Sequence, residues 1–258
     1  MLWCHAKGSP EFVDGHIQMN MGVQLMDVQK GFEAVNSFPE LKNIPVIIGE
    51  CDPEGCAACS QKRDAKYGYR NGTMYSSYTA ASFARIYELM DKYSVNLEGA
   101  VSWSFEFEDQ NWFAGFRELA THGVDKPVLN IYRMFSLMNG KRLLVTEDDG
   151  INAMDIITKG VREKNDVSAI ASKNSNSICI MVWNYGDNDV AGPACNVELT
   201  VNGLNNDKVL MRHYRVDQQH SNSFQKWKSM LCVAIALSGQ HFGKRKIVPG
   251  IKPRRGRH

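Results

Sequence analysis

Hydrophobic residues in the first 140 positions alternate between short runs and helically spaced sets. Apolar residues three or four positions apart predict helices over residues 23–35, 73–93 and 127–138. Short apolar runs predict strands over residues 2–6, 45–50 and 97–105. This alternation of strand and helix is typical of a parallel sheet covered by helices.

The pattern changes from about residue 141. Strand-like segments separated by turns rich in Asn, Asp and Gly follow one another, at residues 143–146, 177–183, 197–201 and 209–216. The pattern needs no helix there, and we expect an antiparallel β-sandwich-like domain.

The three predicted parallel strands recur about every fifty residues, whereas a barrel of eight βα units needs about 250 residues or more. An open three-stranded sheet and a partial barrel both fit, and the chemistry-bearing residues favour the barrel. The predicted fold class is α/β plus β, a partial (β/α)8 TIM barrel followed by a β-sandwich-like domain. Three parts are expected, at residues 1–140, 141–230 and 231–258.

Composition and charge exclude several classes of protein. The chain of 258 residues is 43% hydrophobic and 22% charged, which is ordinary globular usage. Nine Lys or Arg and no acid lie in residues 218–258, which leaves 21 basic and 28 acidic residues before them. An acidic body does not suggest nucleic-acid binding, and the basic tail is either a disordered end or a polyanion site.

Membrane insertion is not expected, because no stretch of eighteen apolar residues occurs. The first residues do not resemble a signal peptide either, and the cellular compartment stays open.

Glu50 is the first candidate for chemistry. It ends an apolar strand and precedes a loop, and barrel enzymes place their catalytic groups at the carboxyl ends of strands. Barrel glycosidases use a pair of carboxylates there. The alternative is a glutamate that only caps the next segment.

A second cluster of candidates follows the third strand, where aromatic rings alternate with acids. Trp103, Glu106 and Glu108 belong to it, and such rings and carboxylates suit sugar faces and hydroxyls. Packing into the core is the alternative. His5 ends the first strand at the same level, so three neighbouring strand ends carry His, Glu and Trp.

Cys51, Cys56 and Cys59 have the spacing of part of a plant-type iron–sulfur motif, and zinc is also conceivable. No fourth ligand is evident, so a disulfide or buried thiols are favoured, and we predict no metal and no cofactor. Seven cysteines leave at least one free thiol unless one pairs between chains.

The sequence resembles the β-xylosidases of glycoside hydrolase family 39 over roughly residues 1–230. The similar segments are residues 5–10, 37–43, 48–50, 52–55, 70–75, 105–109, 113–117, 213–217 and 220–223. The resemblance implies an α/β barrel with an accessory β-sandwich, and hydrolysis with retention of the anomeric configuration.

The resemblance also implies roles for single residues. Glu50 matches the nucleophile at the end of the seventh strand, and His5 matches a sugar-binding histidine at the end of the sixth. Trp103 matches a subsite tryptophan of the eighth strand, while Glu106 and Glu108 lie near acids that contact the sugar.

Two departures from the family pattern stand out. The family's acid/base glutamate lies in an Asn-Glu motif after the fourth strand, and this sequence has no such motif. The chain is therefore expected to begin at the sixth strand. After Met230 the similarity ends, and residues 231–258 look like an unrelated tail from a shifted reading frame.

We therefore expect a retaining β-xylosidase-like hydrolase acting on xylo-oligosaccharides or aryl xylosides, truncated and weakly active as this isolated chain. Self-association through open sheet edges is expected as well. A non-catalytic carbohydrate-binding fragment that uses Trp103, Trp112 and Trp183 is the main alternative. A metal or iron–sulfur protein built on the cysteine loop is the third.

Overall fold

The computed structural model describes residues 2–192, 194–204 and 208–238. The strands are β1 (Leu2–Lys7), β2 (Glu11–Val13), β3 (His16–Gln18), β4 (Val46–Asp52), β5 (Leu97–Ala100), β6 (Ala120–Thr121), β7 (Val124–Asp125), β8 (Lys141–Leu143), β9 (Asp166–Lys173) and β10 (Ile178–Tyr185). The α-helices are α1 (Met21–Asn36), α2 (Thr73–Tyr93), α3 (Pro127–Leu137), α4 (Ala153–Lys159) and α5 (Ser223–Ser238). Short 3-10 helices span Pro39–Leu41 and Ala65–Asn71.

A parallel three-stranded sheet in the order β1-β4-β5 forms the first half. β4 lies in the centre, and all of its residues are buried or half-buried, as a strand covered on both faces requires. α1 buries a stripe that includes Leu25, Val28 and Phe32, and α2 and α3 complete the helical layer. The strands and helices predicted here are confirmed, although β5 ends at Ala100, before the predicted end.

The second sheet is antiparallel, in the order β10-β9-β8. It confirms a strand near residues 177–183, whereas β8 overlaps the predicted segment 143–146 only at Leu143. Sequence reasoning overlooked β9. The strands described after residue 140 form this one sheet, so the expected sandwich is not confirmed.

Two predictions for the second half were wrong. Residues 197–201 and 209–216 form no strand in the structure, because an alternating pattern becomes a strand only where another strand supplies hydrogen bonds. Helices were not expected after residue 140, yet α4 and α5 lie there. Asn152 starts α4 by accepting a hydrogen bond from the Asp155 backbone at 2.9 Å, an N-cap that the sequence already displays.

Helix α5 crosses the expected boundary at residue 231. Asn222 caps its start by accepting from the Gln225 backbone N–H at 3.0 Å. The rings of Phe224 and Trp227 each lie 5.2 Å from the ring of Phe113, so the helix packs on the first half of the chain. The rest of the predicted tail, residues 239–258, lies outside the described residues.

A single hydrophobic cluster includes residues from both sides of the boundary expected near Gly140. Ala6, Met19 and Phe32 belong to it, as do Ile156 and Tyr185. Buried polar groups join the halves as well. Asp187 accepts from the Val161 backbone N–H at 2.9 Å and from the Tyr185 hydroxyl at 2.6 Å, while its own carbonyl accepts from Met19 N–H. Burial raises the pKa of the Asp187 carboxyl.

The outer strands of the parallel sheet, β1 and β5, each pair with one neighbour within the described part of the chain. Among the same residues, no helix combines the length and apolar character that crossing a membrane requires.

Candidate active site

The carboxyl end of β4 carries Glu50, which is only 8% exposed. Parallel pairing with β1 places His5 directly opposite Glu50. The Nδ1 atom of His5 lies 3.0 Å from Glu50 Oε2, and Nζ of Lys7 lies 3.1 Å from the same oxygen. Two basic side chains of one strand therefore hold one oxygen of this carboxylate.

Trp103 completes the group of strand-end residues that the sequence predicts. Its indole Nε1 donates to the carbonyl of Gly49 at 2.5 Å, and its backbone N–H donates to Asp52 Oδ2 at 3.0 Å. The side chain remains 42% exposed. The structure thus brings His5, Glu50 and Trp103 together at one edge of the sheet.

Glu106 and Glu108 lie in the irregular segment after β5, and both are exposed. The aromatic rings of this segment follow one another, with Trp103 6.1 Å from Phe105 and Phe105 6.1 Å from Phe107. An exposed aromatic strip with acids beside it therefore extends away from Glu50.

Sequence reasoning missed a buried charge cluster behind Glu50, formed by Asp52, Glu54, Arg70 and Arg117. Arg117 is fully buried, and its Nη1 lies 2.7 Å from Asp52 Oδ2 and 3.8 Å from Glu50 Oε1. Its Nη2 lies 3.1 Å from Glu54 Oε1, which Arg70 and the hydroxyl of Tyr69 also contact. Residues 113–117 are one of the segments on which the family resemblance rests, but nothing in their sequence indicates that the arginine is buried.

Burial and charge act in opposite directions on the two carboxyls of this cluster. Burial raises the pKa of Asp52 above its ordinary value, even though Arg117 and the Ser102 hydroxyl favour its ionised form. Burial also opposes ionisation of Glu54, but the charges of Arg70 and Arg117 prevail and lower its pKa. Neither carboxylate is available to a sugar, because both are buried and bound to arginine.

The loop after β4 is closed by a disulfide between Cys56 and Cys59, whose Cα atoms lie 5.4 Å apart. Arg70 binds the inside of this loop through the carbonyls of Cys56 at 2.7 Å and Cys59 at 2.9 Å. Cys51 is a separate buried thiol that accepts a contact from Gln24 Nε2 at 3.3 Å.

The iron–sulfur and zinc alternatives need thiolates that the disulfide removes. Within the described residues, no group of three or more His, Cys, Asp or Glu side chains could hold a metal ion.

A family model described as glycosyl hydrolases family 39 matches residues 13–234 of the sequence. The chain belongs to glycosyl hydrolase family 39. Membership of family 39 indicates glycoside hydrolase activity. None of the curated proteins compared with the chain matches it.

The family match gives the geometry a chemical context, because glycoside hydrolases work with carboxylates next to the scissile bond. In this family 39 chain, Glu50 presents one oxygen to His5 and Lys7 and the other toward Arg117. A carboxylate oriented from both sides, beside an exposed tryptophan, can attack an electrophilic carbon of a sugar that stacks on the ring.

Proposed function

We propose that this family 39 chain is a retaining, β-xylosidase-like hydrolase that cleaves β-xylosidic bonds in xylo-oligosaccharides, with Glu50 as its nucleophile. One observation carries the proposal. Glu50 lies near the carboxyl end of the central parallel strand with His5 and Lys7 on one oxygen, and the exposed ring of Trp103 lies at the same edge of the sheet. The aryl xyloside and the xylo-oligosaccharide share the xylosyl unit that this site would receive.

In the proposed reaction, a carboxylate oxygen of Glu50 bonds to the anomeric carbon as the bond to the leaving oxygen breaks. The leaving oxygen takes a proton from a general acid, and water later releases the sugar with its original configuration. His5 and Lys7 orient the attacking carboxylate, and His5 and Trp103 bind the sugar. Glu106 and Glu108 would contact sugar hydroxyls from the aromatic strip.

The general acid is proposed to come from strands other than β1, β4 and β5. A retaining enzyme places its two carboxyls about 5–5.5 Å apart. Asp52 and Glu54 are buried in the arginine cluster, so they cannot serve as the second carboxyl. Three parallel strands do not close a barrel, and further strands could pair at the edges of β1 and β5. We therefore propose that residues 1–140 are part of a (β/α)8 barrel.

A series of leaving groups tests this assignment. Dinitrophenolate leaves without a proton, so dinitrophenyl β-xyloside should react even where no acid is present. An unactivated aryl β-xyloside should react about 10²–10⁴-fold more slowly than with a family 39 enzyme whose general acid is in place, because general acid catalysis typically contributes that factor.

Glu50→Ala should abolish turnover of the dinitrophenyl substrate, while Glu98→Gln, an exposed acid on β5, should leave turnover unchanged. Equal rates for Glu50→Ala and the unaltered chain would show that Glu50 is not the nucleophile. Faster hydrolysis of the dinitrophenyl β-glucoside would show that the enzyme prefers glucose, and would leave the role of Glu50 unchanged.

The second candidate is a non-catalytic carbohydrate-binding fragment. The side chains of Trp103 and Trp112 are 42% and 39% exposed and favour this function, because exposed indole rings can stack on sugar faces. Trp183 does not contribute, because it is 4% exposed and its Nε1 donates to Asp166 at 3.0 Å. Binding of a xylo-oligosaccharide that survives Glu50→Gln, with no hydrolysis by the unaltered chain, would favour this function.

A further inference from the structure

Arg117 occupies the centre of the buried charge cluster behind Glu50. Its guanidinium contacts Asp52 through Nη1 and both the carboxylate and the backbone carbonyl of Glu54 through Nη2. Full burial of this guanidinium is costly unless carboxylates surround it, and here two of them do. The cluster therefore fixes Arg117 in one place.

Backbone contacts restrain the same residue from two further segments. The N–H of Arg117 donates to the Ala57 carbonyl at 3.1 Å, and its own carbonyl accepts from Phe105 N–H at 3.0 Å. Nη1 also lies 3.4 Å from the carbonyl of Trp103. Arg117 thereby joins the loop after β4 to the segment that carries the exposed tryptophan.

The charged groups around Glu50 lie on opposite sides of its carboxylate. His5 and Lys7 of β1 contact Oε2, at 3.0 and 3.1 Å. Arg117 approaches Oε1, at 3.8 Å, from the segment after β5, and Asp52 reaches this side through its own bond with Arg117. Oε1 thus has a fully buried cation on its inner side.

We propose that Arg117 is a positioning residue for Glu50: its buried guanidinium orients the carboxylate and stabilises its negative charge, while remaining behind the sugar site. The proposal rests on the function of Glu50 proposed above. A lysine could not replace Arg117, since a planar fork is needed to bridge Asp52 and Glu54 while facing Glu50.

Arg70 provides a matched control within the same cluster. It is also fully buried, and it binds Glu54 and the carbonyls of the disulfide loop. The described contacts of Arg70 reach Glu54 but not Glu50. Substitution of either arginine should loosen the cluster, but only Arg117 should act on the charge of Glu50.

The first test is independent of turnover. The side-chain carboxyl resonance of Glu50, in a chain labelled with ¹³C-glutamate, is identified by its loss in Glu50→Gln. Its chemical shift at neutral pH is then compared in the unaltered chain, Arg117→Lys and Arg70→Lys. We expect this resonance to shift in Arg117→Lys, because the cation beside Oε1 has been displaced.

Arg70→Lys should lower the melting temperature without shifting that resonance. Arg117→Met should shift the resonance further, and if this variant does not fold, the result for Arg117→Lys is the deciding one. An unchanged Glu50 resonance in a folded Arg117→Lys, or an equal shift in Arg70→Lys, would overturn the proposal and leave Arg117 with a structural role.

The second test uses turnover of dinitrophenyl β-xyloside. Arg117→Lys should lower kcat about tenfold with little change in KM, whereas Arg70→Lys should leave kcat much less affected. If the Glu50 resonance shifts in Arg117→Lys but the unaltered chain shows no turnover, the proposed function fails while the coupling between Arg117 and Glu50 stands. If turnover is present and kcat is unchanged in Arg117→Lys, the positioning role is wrong.

Discussion

Lys126 is a buried cation whose charge depends on pH. It is fully buried, its Nζ lies 3.0 Å from Glu118 Oε1, and it donates to the Phe116 carbonyl at 3.1 Å. Burial lowers the pKa of Lys126 to about 8, and the attraction of Glu118 offsets only part of that effect. The folded chain therefore holds this proton less tightly than the unfolded chain does.

The stability of the protein should respond to this group above pH 8. Between pH 8 and 10.5 the unfolded chain binds more protons at Lys126 than the folded chain does. The free energy of unfolding therefore increases as the pH rises through this range. Lys126→Arg keeps a positive charge but does not titrate in this range. The unaltered chain should gain at most about 3 kcal/mol relative to Lys126→Arg between pH 7 and 10. Urea unfolding of both proteins measures the difference, and a difference that stays constant with pH would contradict the account.

Sequence reasoning found residues at strand ends but not their long-range partners. His5, Glu50 and Trp103 were identifiable because parallel strands end at one edge, so their positions follow from the strand pattern. Arg117 could not be identified from the sequence, because its contact with Asp52 spans 65 positions and no local pattern indicates it. Lys7 was part of a family-like segment, but its bond to Glu50 depends on the register between β1 and β4.

At the scale of elements, the disulfide loop after β4 supports the site. Cys56 and Cys59 are three positions apart, so their bond restricts the unfolded chain only modestly. Loop-closure entropy gives a stabilisation of about 2 kcal/mol for so short a loop. The loop also supplies the Cys56 N–H that donates to Glu54 at 2.6 Å and the carbonyls that Arg70 binds.

Replacing both cysteines with serine should therefore lower the free energy of unfolding by about 2 kcal/mol. Cys195→Ser is the control, because this thiol is free and exposed. Urea unfolding would measure both variants. Equal stability of the Cys56→Ser/Cys59→Ser variant and the control would show that the bond does not stabilise the fold.

Other elements show where patterns of sequence suffice and where they do not. α1 and α2 were predictable because their apolar stripes have helical spacing over four or more turns. Residues 197–201 and 209–216 have the alternation of strands but no neighbouring strand, and Leu199, Leu210 and Met211 are exposed there. The N-caps Asn152 and Asn222 were visible in the sequence, but no helix was predicted after either of them.

At the scale of the whole molecule, the two edge strands of the parallel sheet, β1 and β5, determine how the chain can associate. β1 and β5 have one hydrogen-bonded neighbour each within the described residues, and unpaired edges favour association with other strands. The shared core of the two halves was not predictable, because the change of pattern near residue 140 suggested separate domains. Contacts such as Met19 with Asp187 follow from the packing, not from local sequence.

The purified chain should therefore associate with itself at micromolar concentration. Gly99→Lys should reduce this association, because open space lies beside Gly99 and a lysine on an edge strand opposes pairing. Gly99→Ala serves as the matched substitution, because it adds a side chain at the same position without a charge. Light scattering after size-exclusion chromatography measures the mass, and a sharp monomeric peak with a cooperative melt would contradict the expectation.

Covalent trapping tests the central claim, that Glu50 is the nucleophile of a family 39 glycoside hydrolase. A 2-deoxy-2-fluoro xyloside with a dinitrophenyl leaving group forms the glycosyl-enzyme without a proton donor, and the fluorine slows its breakdown. Mass spectrometry of the digested chain should find one fluoroxylosyl ester, on Glu50, that is absent from Glu50→Gln and present in Glu98→Gln. A label on another carboxylate, or turnover of the dinitrophenyl xyloside without any label on Glu50, would contradict the account.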